Sequence, residues 1–237
     1  MNKLLIANLK MNLNYEDILE YKKIIENNKI DNFIIAPSNI YLTTMLSPKY
    51  PVCSQNGHYL DSGAFTGEVS FKQLKSIGVE YSLIGHSERR NIFHESDDDI
   101  RRKLKSCIDN GITPILCVGE HKHERENDEA EYVINEQLQT ALDGLKLDNL
   151  IIAYEPVWAI GTGLIPTFED IMNMHHCIKN CVKENTNNVK VLYGGSVNEK
   201  NIVDICNIDG VDGVLIGGAS NNAENLLKMY NLVKKCK

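Results

Sequence analysis

The chain has 237 residues, 43% of them hydrophobic, and a formal net charge of −7. That length can bury a core as large as a single α/β barrel needs; the negative charge argues against a nucleic-acid partner, and no apolar run approaches the length of a membrane span. Seven cysteines, an odd number scattered along the chain, predict reduced thiols in a cytoplasmic setting, and the N-terminal MNKLLIANLKMN is too briefly apolar to read as a secretory signal.

Short apolar runs appear in order at residues 4–10, 33–37, 50–56, 79–86, 112–120, 150–156, 189–195 and 212–218. They are β-branched and aliphatic without polar alternation, and charged helical patterns fill most of the gaps, as expected of parallel strands covered on both faces. No linker divides them, so residues 1–237 are read as one unit. Eight βα units in this length predict a (β/α)8 TIM barrel, with a doubly wound sheet as the alternative.

The first run ends in Asn8 and Lys10. Two residues apart on a strand, they share a face, while Leu9 points outward. Alone, a strand-end lysine reads more simply as a side chain reaching for solvent. After the third run, GAFTGEVS (63–70) holds Phe65 and Val69, with Phe71 just beyond, and is too apolar for a solvent loop, which suggests a partner surface.

The fourth run passes into LIGHSERR (83–90), placing His86 at the start of a helix opened by Ser87, Glu88, Arg89 and Arg90. The positive end of a helix favours a neutral imidazole that donates a hydrogen bond; a histidine that merely caps a turn is the plainer reading. HKHERENDEAE (121–131) reads as a solvated helix start.

The sixth run ends at Glu155, a carboxylate beside YEPVWAIGTG. Pro156 stiffens one end of a loop, and Gly161, Thr162 and Gly163 free the other. Val157, Trp158, Ala159 and Ile160 are apolar enough to exclude water when the loop shuts. Farther on, Cys177 and Cys181, preceded by His175 and His176, could in principle hold a metal. The segment reads more simply as a helix with Ile171, Met174, Ile178 and Val182 buried, and no metal is expected. The last two runs end in YGGS (193–196) and GGAS (217–220), glycine turns suited to binding phosphate in a barrel mouth.

Together NLKMN (8–12), AFTGEVS (64–70), LIGHSERR (83–90), ESD (95–97), CVGE (117–120), AYEPVWAIGTG (153–163), YGGSVN (193–198) and VDGVLIGGAS (211–220) closely resemble the triosephosphate isomerase family over nearly the whole chain. The resemblance implies interconversion of dihydroxyacetone phosphate and glyceraldehyde 3-phosphate through an enediolate, without cofactor or metal. By that resemblance Glu155 is the base, His86 polarises the carbonyl, and Lys10, held by Glu88, and Asn8 stabilise negative charge. Ser87 holds the glutamate aside before closure. Gly161, Ser196, Gly217 and Gly218 clamp the phosphate, and Tyr193 and Ser196 meet the closed lid. Loop 64–70 inserts into a second copy, with Thr66 near its Asn8 and Lys10, which implies a homodimer. A phosphate-binding barrel of other activity and a non-catalytic binding module are the competing readings.

The chain departs from the family pattern at the far end of the lid, where Leu164, Ile165 and Pro166 follow GTG. Proline there fixes one φ, so motion is expected to shift toward Gly161 and Gly163. His94 stands where the family often has glycine.

Overall fold

The computed structural model describes residues 3–234 and Cys236. All eight expected strands form: β1 (Leu4–Asn8), β2 (Phe33–Ala36), β3 (Cys53–Ser54), β4 (Tyr81–Ile84), β5 (Thr113–Val118), β6 (Leu150–Tyr154), β7 (Val189–Tyr193) and β8 (Gly213–Ile216). They join in parallel in the order β2-β1-β8-β7-β6-β5-β4-β3. The seam between β2 and β3 is drawn together by a single bridge from Ile35 to Val52. The result is a nearly closed TIM barrel with helices outside.

The third strand is much shorter than its apolar run. Pro51 has no N–H to donate, and the carbonyl of Ala36, which accepts from the Leu9 N–H at 3.0 Å, also accepts from the side-chain amide of Gln55 at 3.0 Å. Side-chain hydrogen bonds thus finish the barrel wall where backbone pairing stops.

Two apolar layers follow from strand alternation. Leu4 and Ile6, Ile34 and Ala36, Cys53, Leu83, Ile115 and Cys117, Ile151 and Ala153, Leu192 and Leu215 fill the barrel. Their neighbours, including Leu5, Ala7 and Leu9, pack outward against the helices, so Leu9 points where expected. Helix starts are fixed by reciprocal caps, Asn14 with Asp17, Ser70 with Gln73, Ser96 with Asp99 and Thr167 with Asp170. Phe71 does not belong to an exposed loop: it opens a helix, is fully buried, and its ring occupies the space a side chain at Gly57 would need. The charged stretch after β5 forms two helices, Lys122–Glu126 and Ala130–Leu142, with Asp128 between them at φ +59°. His94 adopts φ +55°, the conformation that a glycine accepts more readily.

On the helix Phe168–Cys181, Ile171, Met174 and Ile178 are buried as expected, and His175 joins them with no exposed surface. Its Nδ1 lies 3.3 Å from the Gly210 carbonyl, and its ring meets Tyr154 edge-on. Burial pulls its pKa down from 6.5 to about 3. The folded protein therefore keeps His175 neutral while the unfolded chain takes up a proton below pH 6.5, so stability falls as pH drops from 6.5 toward 3. Urea unfolding should show the wild type losing about 2 kcal/mol more than His175→Leu between pH 7 and pH 5. Equal losses would contradict this assignment.

Candidate active site

Alternation carries each strand's interior row one step past its end, into the barrel mouth. Beyond Ile6 comes Asn8, beyond Cys53 Gln55, beyond Leu83 Gly85, beyond Cys117 Gly119, beyond Ala153 Glu155, beyond Leu192 Gly194 and beyond Leu215 Gly217. Four of these seven positions are glycine, which leaves a hollow into which the other side chains can project. Space is tight around Glu155: a Cβ on Gly119 would lie 1.7 Å from its backbone oxygen, and one on Gly194 would lie 2.9 Å from its Cγ.

The Glu155 carboxylate is only 2% exposed. Its Oε2 accepts from the Ser87 backbone N–H at 2.9 Å, and its Oε1 lies 3.2 Å from His86 Nε2. His86 caps the helix Ser87–Asn91, and its Nδ1 accepts from the Glu88 N–H at 3.2 Å. That acceptor role puts the proton of a neutral imidazole on Nε2, facing Glu155. Positive φ at Gly85 (+72°) makes the turn that delivers both residues.

Lys10 corrects the sequence reading. The strand stops at Asn8, and Lys10 sits in a turn at φ +49°, costly for a residue with a side chain. Its N–H donates to Asn8 Oδ1 at 3.0 Å, while its carbonyl accepts from Ser38 Oγ at 2.8 Å and Gln55 Nε2 at 2.9 Å. The Nζ pairs with Glu88 Oε1 at 2.5 Å. Asn8 and Lys10 still share the mouth, through a braced turn rather than strand parity. Sequence reasoning did not single out Ser38 and Gln55 as the braces; a small hydroxyl and an amide just past two strand ends were the available signal.

A hollow of about 230 Å³ is lined by Asn8, Lys10, His86 and Glu155 on one side and by Ile160, Gly161, Ser196, Gly217 and Gly218 on the other. It is small enough to select a compact ligand. Lys10 is the one lysine or arginine among its lining residues, set against the chain's negative charge. All the expected phosphate-clamp residues reach this hollow.

Val157–Ala159 form a 3₁₀ turn, and Gly161 and Gly163 take φ of +69° and +79°. Trp158 Nε1 donates to Glu120 Oε1 at 3.0 Å, an oxygen that also accepts from Arg125 and from the Tyr154 hydroxyl. Ser196 Oγ donates to the Ala159 carbonyl at 2.6 Å and accepts from the Gly163 N–H at 3.3 Å. Pro166 is buried, and the next residue, Thr167, caps the following helix. Glu120, which the sequence reading carried only within the CVGE (117–120) motif, thus anchors this loop through Trp158. Tyr193 is buried behind Gly195, and among the described residues its hydroxyl has no hydrogen-bond partner.

A second hollow, of about 350 Å³, adjoins the first and shares Asn8, Lys10 and His86 with it; Met11, Glu68, Val69 and Phe93 line its far side. Apolar side chains crowd this region: Met11 is 92% exposed, Phe93 60% and Phe65 41%. No helix among the described residues is long and apolar enough to cross a membrane.

The family model described as triosephosphate isomerase matches residues 3–233. The chain is 40% identical to the triosephosphate isomerase of Francisella tularensis subsp. mediasiatica (strain FSC147), with 99% of this chain and 98% of that protein aligned. It is 40% identical to that of Aquifex aeolicus (strain VF5) over 97% of this chain and 98% of the relative. It is 42% identical to that of Mycoplasmopsis agalactiae (strain NCTC 10123 / CIP 59.7 / PG2) over 97% and 95%.

The close approach of Gly119 to Glu155 yields a direct prediction. Gly119→Ala forces a methyl into the Glu155 carbonyl and should cost about 3 kcal/mol of stability in urea unfolding, or prevent soluble expression. An unchanged unfolding midpoint would contradict the packing described.

Proposed function

The chain belongs to the triosephosphate isomerase family, and from that membership we propose how its residues divide the reaction between them. It is an isomerase that interconverts dihydroxyacetone phosphate and D-glyceraldehyde 3-phosphate, a step of glycolysis.

In the proposed division the Glu155 carboxylate takes a proton from the carbon beside the carbonyl, and the electron pair moves onto oxygen to give an enediolate. His86 Nε2–H donates to that oxygen and passes protons between the two oxygens. Glu155 then returns a proton to the neighbouring carbon, which completes the exchange of ketone for aldehyde. Fixed donors facing the growing oxyanion are typically worth about 10²- to 10³-fold each; Lys10 and Asn8 fill that role with His86. The observation that carries the assignment is the 3.2 Å approach of Glu155 Oε1 to His86 Nε2 at the wall of a small hollow.

With its Oε2 on the Ser87 N–H, the base is parked. Phosphate binding among Gly161, Ser196, Gly217 and Gly218 would draw the lid over the hollow and free Glu155 from Ser87. Binding energy from the non-reacting phosphate thereby goes into assembling the reactive arrangement and excluding water. The room for this swing is the space left by Gly194. Pro166 holds the far end, so the lid turns about Gly161 and Gly163.

The working unit we propose is a cytoplasmic homodimer, each chain a single domain over residues 1–237. Loop 64–70 of one copy, with Thr66 at its tip, seats in the second hollow of the other. Exposed Phe65, Met11 and Phe93 support this surface, and its continuity with the catalytic hollow through Lys10 would couple pairing to activity.

A coupled assay of glyceraldehyde 3-phosphate isomerisation should show fast turnover, with kcat falling about 10²-fold or more in Glu155→Asp, which withdraws the carboxylate by one methylene. Full activity in that variant would overturn the assignment of the base. Sedimentation should give a dimer, with activity per chain declining on dilution; a fully active monomer at nanomolar concentration would overturn the pairing.

A further inference from the structure

Away from the mouth, two thiols stand together on the helix Phe168–Cys181. Cys177 and Cys181 are one turn apart and project from the same face, with their Sγ atoms 3.9 Å from each other. Two sulfurs bound at about 2.3 Å to one tetrahedral ion stand about 3.8 Å apart. The pair therefore already has the span of a metal chelate. The neighbouring helix Ala130–Leu142 supplies oxygen beside it: the Cys181 thiol donates to Asn135 Oδ1. Glu131, one turn before Asn135, lies near enough for its charge to act on Cys177. Both thiols and Asn135 are partly exposed, so an ion can reach them.

We infer that Cys177, Cys181 and Asn135, with Glu131 turned in, form a site for a thiophilic divalent cation of the zinc class. Two thiolates would neutralise the ion, and the amide and carboxylate oxygens would complete four-coordination. The histidines just before the pair take no part: His175 is buried against Gly210, and His176 pairs with Asp209 at 3.0 Å. Among the described residues no three His, Cys, Asp or Glu side chains are already gathered, so Glu131 must rotate to close the set. Such an ion would tie the helix that follows the lid to the helix beside it.

Without metal, burial and the adjacent Cys181 push the Cys177 thiol up to about 12. A binding cation displaces thiol protons to solvent, so its affinity rises with pH.

The test is titration of the full chain, kept reduced with a phosphine, with Co²⁺ as a spectroscopic substitute. One equivalent per chain should produce a thiolate-to-cobalt charge-transfer band and tetrahedral visible bands, tightening as pH is raised and bleached by Zn²⁺. Cys177→Ser and Cys181→Ser should each lose the spectrum while retaining isomerase activity, which shows that they are folded. Cys206→Ser, a change at a cysteine near Cys236 elsewhere in the fold, should keep it. Absence of a tetrahedral spectrum at millimolar Co²⁺, or its persistence in the double variant, would overturn the site.

Discussion

A carboxylate that is 2% exposed must have partners, because an unpaired buried charge costs several kcal/mol. Two partners of Glu155 come from one turn, the Ser87 N–H and the His86 imidazole. The contact that makes the buried charge tolerable also sets the Glu155 carboxylate and the His86 imidazole 3.2 Å apart, the separation on which their proposed roles as base and electrophile rest. The glycine row around the mouth follows from it. Gly119 lets the end of β6 approach β5 closely, and Gly194 leaves the glutamate room to turn.

The loop 157–163, the proposed lid, is tied to the same framework by a second buried carboxylate. Glu120 is fully buried, and one of its oxygens serves Arg125, Tyr154 and Trp158 together. Among the described residues its other oxygen and the Tyr193 hydroxyl have no hydrogen-bond partner, so the polar groups beneath this loop are incompletely satisfied by them. Opposite them Lys10 keeps a left-handed backbone conformation because Asn8, Ser38 and Gln55 absorb its backbone hydrogen bonds. Strain held at a functional residue by surrounding bonds is a recurrent feature of active sites.

Most of this architecture was legible in the sequence. Continuous apolar runs reported parallel strands, and polar or glycine residues at their ends marked the mouth. Glu155, His86, Lys10 and Asn8 do converge there, as the motifs implied. What escaped were features set by tertiary context. Beside the short β3, the wall is completed by Gln55 reaching the Ala36 carbonyl. The turn at Lys10 depends on Ser38 from another strand end, and the burial of Phe71 depends on the absent side chain of Gly57. Glu120 was carried only inside the CVGE motif because its value lies in meeting Trp158, thirty-eight residues away.

The central claim is that occupation of the glycine-lined hollow shuts the lid and releases Glu155 from Ser87. Trp158 is the only tryptophan in the chain, sits in the lid, and donates to Glu120, so its fluorescence isolates that motion. Titration with triose phosphate should change the emission saturably, with a midpoint matching half-saturation of activity. Emission that stays constant while the enzyme becomes saturated would contradict the account.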